Sequence, residues 1–182
     1  MPQDYFLRII DQVAVMLAQV MKKQLSGDIT GAKAELNAHC HQTLGLDISQ
    51  VQRMSPEAVT QLLDTAGGLR QARAIMLAEL LLKDAELEEH DHSRVAIDQI
   101  HAFCLLAGAI AALDIEDQQA YRPKLQALAD RLRRLQSNPY IAAKWQSMHT
   151  VLRPIQAMQP IADRRGAQTL LFMNVICNSR GG

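Results

Sequence analysis

Residues 25–36 read LSGDITGAKAEL, and the reading of this stretch decides the fold. Phe6, Ile9, Ile10, Val13, Leu17, Val20 and Met21 lead up to it with three-and-four spacing, the pattern of a helix with one buried stripe. Ser26-Gly27-Asp28 then breaks that helix, because glycine is costly inside a helix and the two short polar side chains compete for the backbone. Ile29, Ala32, Leu36, His39 and Thr43 resume the same period, and Gly45 is placed to close the second helix. The small Ala32 just past the turn lets the two antiparallel helices approach closely. The stretch is therefore the tip of a helical hairpin.

A second tip follows in ELEEHDHSRVAIDQI, residues 86–100, where Ala96 and then Ile100 succeed the turn as Ala32 and Leu36 do in the first. Between the two, Ser55-Pro56-Glu57 supplies a capping hydroxyl, a proline for the first helical position and an acid for the first turn. The helix it opens carries Val59, Leu62, Leu63 and Ala66 and ends at Gly67-Gly68. A further helix is predicted from about Leu69 to His90 and another from about Ser93 to Leu113. No strand-like alternation of useful length occurs. The fold class is accordingly all-α: antiparallel helical hairpins stacked in an array or bundle, with additional C-terminal helices.

Those C-terminal helices have their own signals. Tyr121, Leu125, Leu128, Leu132 and Leu135 keep a heptad spacing suited to a neighbouring helix. Pro123 reads as a first-turn residue, which puts the start near Tyr121. Ser137-Asn138-Pro139 ends this helix, and Ile141, Trp145, Met148 and Leu152 mark the next, stopped near Pro154. Pro160 limits the stretch before a last apolar segment, LLFMNVIC, and a tail SRGG.

With 182 residues the chain is long enough to bury a sizeable core without disulfides. Cys40, Cys104 and Cys177 are odd in number, widely spaced and set among apolar residues, which fits inert thiols in a reducing compartment. The first residues, MPQDYFLRIIDQ, place acids where a signal peptide needs a basic start. The longest uncharged apolar run, Phe103 to Leu113, falls short of the roughly 20 residues that span a bilayer. A cytoplasmic location away from membranes is expected.

The neutral total conceals a division. Residues 1–116 hold nine basic and sixteen acidic residues, a net −7, whereas residues 117–182 hold ten and three, a net +7. Two regions are expected on this basis, an acidic helical one over 1–116 and a basic extension over 117–182 docked on it, either within one chain or swapped between two. In that docking, Arg131, Arg133 and Arg134 face acids of the first five helices. The alternative use of Arg122, Lys124, Arg131, Arg133 and Arg134, nucleic-acid binding, is disfavoured because the chain is neutral and poor in aromatics.

Two His-x-His triplets raise the question of a metal. His39 and His41 lie two apart on a helix and point about 200° away from each other, so they cannot close on one ion. His90, Asp91 and His92 sit in a turn, where the imidazoles can converge and the ligand types suit zinc or nickel. Asp91 or Ser93 also has an ordinary use there as a helix cap. The acids Asp84, Glu86, Glu88, Glu89 and Asp91 read as a solvated helix face. No nucleophile elbow, phosphate-binding glycine loop or metal-binding helix motif is present, so no catalytic residue and no cofactor is expected.

The two hairpin tips resemble the tetratricopeptide repeat, whose turn reads G-D-aromatic-E-E-A. Ile29 and Val95 stand where that repeat has its aromatic residue, and the tryptophan, glycine and tyrosine of its first helix have no counterparts. About the first 113 residues resemble a family of bacterial all-helical proteins with repeat-like helices, a domain of unknown function. Its opening pattern QDY-x-x-R-x-I-x-Q is matched by QDYFLRIIDQ, and SGDITGAKAEL, Thr43 to Asp47 and IMLAELLLKDAEL follow as in its members. The resemblance implies a repeat-like helical fold and no particular reaction. Taken together, the expectation is a non-catalytic protein-protein interaction module whose partner is a protein, a peptide or a second copy of the chain. A metal-dependent enzyme or sensor built on His90, Asp91 and His92 is the alternative.

Overall fold

The computed structural model describes residues 3–64, 70–88, 90–113, 115–135 and 137–152. Among them are eight α-helices and no strand: α1 (Gln3–Leu25), α2 (Ile29–Leu44), α3 (Ile48–Val51), α4 (Pro56–Asp64), α5 (Arg70–Leu87), α6 (His92–Ile110), α7 (Ile115–Arg131) and α8 (Pro139–Leu152), with a 3₁₀ turn over Leu132–Leu135. The all-helical class is therefore what these residues adopt.

The first hairpin turns as its sequence dictates. Gly27 takes φ 81° and Gly45 takes φ 71°, conformations that cost other residues most. Asp28 Oδ1 accepts a 2.8 Å hydrogen bond from the Gly31 amide and so caps α2. A Cβ at Gly31 would collide with that same carboxylate, so the cap needs glycine three residues on. The Gly45 amide returns to the His41 carbonyl and closes α2.

The α5–α6 hairpin forms the centre. From Ala72 to Leu81 and from Ala102 to Ile110 nearly every apolar side chain is buried, on all sides of each helix rather than along one stripe. Helices of that kind lie inside a fold. By length and composition α6 could also cross a membrane, but more than half of it is buried against its neighbours, as in a core helix. α1 and α2 pack on α5, α7 and α8 pack on α6, and α4 touches both central helices. Phe103 on α6 meets Trp145 on α8 with ring centroids 5.9 Å apart. The described residues up to Leu152 make one compact unit.

Several expectations are corrected. The fourth and fifth helices are shorter than read, ending at Leu87 and Ile110. A four-residue helix, α3, went unread; Asn37 Oδ1 accepts the Ile48 amide at 2.9 Å and holds its start. α7 begins at Ile115, not near Tyr121, and Pro123 lies within it. The proline removes one donor to the Gln119 carbonyl, and the flanking turns carry the helix through. The heptad pattern serves as read at Leu125, Leu128 and Leu132, all buried, but the chain winds into the 3₁₀ turn and leaves Leu135 38% exposed. Near the end of α6 Ala107 is buried, whereas Gly108 and, just past the helix, Ala111 and Ala112 are exposed.

The basic residues of α7 also differ from expectation. Across the α5–α7 contact the cation is Lys124, 2.6 Å from Glu79. Arg133, in the 3₁₀ turn, pairs with Asp130 of α7 at 2.7 Å, and Arg131 and Arg134 make no ion pair among the described residues. Ala66, Gly67, Gly68, Glu89, Pro154, Pro160, LLFMNVIC with Cys177, and SRGG lie outside the described residues.

Candidate functional site

A groove of about 430 Å³ opens between α1, α2 and α5. Val13 and Met16 of α1 and Met76 and Leu80 of α5 form its floor, all buried. Val15 stands at its mouth and is 62% exposed, although it is apolar and β-branched. Gln12, Gln19, His39 and Thr43 provide a polar rim. The rim is built by local rules: Thr43 Oγ1 donates to the His39 carbonyl at 2.6 Å, and His39 Nε2 lies 3.4 Å from Glu35 Oε1. Glu35 is itself held by Lys23 at 2.7 Å, and that hydrogen bond keeps its carboxyl below the ordinary range. An apolar floor containing two methionines, whose unbranched side chains adapt to differently shaped guests, suits the apolar side chains of a peptide or helix. The rim offers hydrogen bonds to the guest's polar edge.

A second feature centres on two buried carboxyls. Asp84 on α5 and Asp98 on α6 are 4% and 0% exposed. Gln52, in the loop after α3, donates from Nε2 to Asp84 Oδ2 at 3.1 Å and to Asp98 Oδ1 at 2.9 Å. Arg94 reaches Gln52 Oε1 at 3.2 Å and lies 3.7 Å from Asp84 Oδ2. Burial pushes the Asp98 carboxyl up to about 7, with Asp84 adding to the rise and Gln52 and Arg94 opposing it. Burial likewise raises Asp84. The pair thus holds protons at a pH where exposed carboxyls have lost theirs. Next to it, His101 is buried with Nδ1 2.9 Å from the Ile97 carbonyl and Nε2 2.9 Å from the Met54 carbonyl, fastening the same loop to α6.

Compared with protein-family models, curated proteins and solved structures, the chain matches none of them.

The residues singled out from sequence are dispersed. His39 lines the groove while His41 is exposed, which separates them as their spacing requires. His90, Asp91 and His92 are exposed, and Asp91 Oδ1 accepts the amides of Ser93 and Arg94 at 3.0 and 3.1 Å, the capping role. Among the described residues no group of three His, Cys, Asp or Glu side chains gathers as metal ligands do. The acidic run is not one solvated face: Asp84 is buried, and Glu88 pairs with Lys33 at 2.8 Å, which lowers its carboxyl, whereas Glu86 is exposed. Cys40 and Cys104 are buried, and burial pushes each thiol up to about 12. The groove itself went unread. Its one sequence signal is Val15, an apolar residue standing off the stripe of Val13, Leu17 and Val20.

Proposed function

We propose that the chain is a non-catalytic protein-protein interaction module, in which the pairs α1–α2, α5–α6 and α7–α8 form a tetratricopeptide-like array and the groove between α1, α2 and α5 receives an apolar segment of a protein partner. The observation that carries this reading is the groove: a buried apolar floor beneath a valine left 62% exposed at the mouth. A recess of this volume, lined mainly by apolar side chains with a few polar groups at its rim, has the form of a binding site. The order of contacts supports the array, since each helix pair packs on the next in the chain. The guest fits best as an amphipathic helix or extended peptide, with apolar anchors toward Met16 and Met76 and polar groups along Gln12, Gln19 and Thr43. The reading places the module in a bacterial cytoplasm.

Selection from a displayed peptide library tests it. The expected result is enrichment of peptides with apolar residues at helical or alternating spacing, bound by the wild type and lost with Val15→Arg. A failure to enrich any peptide, or binding indifferent to Val15→Arg, removes the groove as the site.

A further inference from the structure

On another face of α1, away from the groove, Ala14, Ala18, Met21 and Leu25 are exposed, the last two by 48% and 85%. Their spacing of four, three and four is that of the a and d positions of a coiled coil, and it forms a stripe about 16 Å long. The stripe is not part of the core face, which Val13, Met16 and Val20 occupy. Two alanines at one end let another helix come close, and the two larger residues at the other end offer it apolar area. Asp11 and Lys22 flank the stripe near its ends. Both are exposed, and neither is in an ion pair among the described residues. A helix whose stripe carries an acid at its N-terminal end and a base at its C-terminal end complements its own reverse. If two copies lie antiparallel with Ala14 of each against Ala18 of the other, each Asp11 comes within one residue of Lys22 of the second copy. One two-fold axis then satisfies both ends, as an isologous interface requires. Antiparallel packing also sets the helix dipoles in opposition.

We propose that the partner of this face is a second copy of the chain, docked antiparallel through α1 to give a two-fold dimer. The proposal shares Asp11 with the edge of the groove, whereas Ala14, Ala18, Met21 and Leu25 do not line it. Contact along a single helix is below the area of a large obligate interface, so a dissociation constant on the order of micromolar is expected.

Sedimentation equilibrium of the full chain between about 1 and about 100 µM tests it. A monomer–dimer equilibrium in that range is expected, together with a monomer for Ala18→Glu at every concentration. Circular dichroism should show unchanged helix content in that variant, since Ala18 is exposed and glutamate is a good helix former. Lys22→Asp should weaken the dimer about tenfold or more, and adding Asp11→Lys to it should restore most of the loss. A wild type that stays monomeric overturns the proposal. A dimer indifferent to Ala18→Glu overturns it too. Dimerisation lost with Ala18→Glu but not restored by the charge exchange overturns the antiparallel pairing.

Discussion

Asp84 and Asp98 share one nitrogen: Nε2 of Gln52 stands 3.1 Å from Oδ2 of the first and 2.9 Å from Oδ1 of the second. Two carboxylates on the two central helices are thereby joined through a loop residue far from both in sequence. A proton on the pair relieves their mutual repulsion inside the core, beyond what Gln52 and Arg94 offset.

The stability of the fold should consequently fall as pH rises through the neutral range. Asp98 is raised from an ordinary 3.8 to about 7, so the folded state binds more protons than the unfolded one between these values. Its favourable contribution is complete below 3.8 and is lost as pH rises through about 7, by on the order of a few kcal/mol. Glu35 and Glu88, both lowered, act with the opposite sign and lose their contribution as pH falls below their ordinary 4.5. Chemical denaturation from pH 4 to 8 should show a maximum near the acidic end. Asp98→Asn should flatten the decline above it, and an unchanged decline in that variant would refute the assignment.

Gln52→Glu places a third carboxyl between the two. At pH 8 it should destabilise by about 2–4 kcal/mol, and the loss should shrink toward pH 5 as the cluster takes up protons. Thermal melts at the two pH values measure this directly, and a loss independent of pH would point to packing rather than charge.

Side-chain size around the C-terminal end of α6 should matter only where the side chain is enclosed. Ala107 is fully buried, so Ala107→Leu should cost about 1–3 kcal/mol by overpacking. Ala111 and Ala112 are exposed, and leucine at either should change stability by less than about 0.5 kcal/mol. Equal effects at the three positions would contradict the orientation of the helix.

Apolar burial should outweigh charge where α7 meets the central hairpin. Leu125→Ala removes a fully buried side chain and should cost about 2–5 kcal/mol. Lys124→Ala breaks the 2.6 Å pair with Glu79, but Lys124 is 45% exposed, and such pairs contribute at most about 1 kcal/mol. High salt should reproduce the lysine effect and leave the leucine effect intact.

The parts of the fold that were legible in the sequence are those encoded within a few residues. Asp28 and Gly45 bound α2 through caps that need only near neighbours, and Ser55 caps α4 from three residues away, at 3.2 Å from the Ala58 amide. Pro123 misled because proline is read most readily as a helix start, whereas α7 tolerates it inside. The acid pair had no local signal at all: residues 52, 84 and 98 meet only once α5 and α6 have packed and the loop has closed over them. The groove was equally hidden, since its floor draws on α1 and α5, more than fifty residues apart in the chain. Alanine and glycine at 108, 111 and 112 say that a helix can be approached closely, but not whether anything approaches it.

His101 stands between two carbonyl oxygens, and a neutral imidazole has a single hydrogen to offer them. With the hydrogen on Nε2 the ring is bound to Met54 and holds the loop; with it on Nδ1 the ring turns back to its own helix at Ile97. The bond from the ring to the loop that carries Gln52 therefore depends on which ring nitrogen carries hydrogen. A nitrogen-15 label in this one ring would read that state from within the core without altering a single contact.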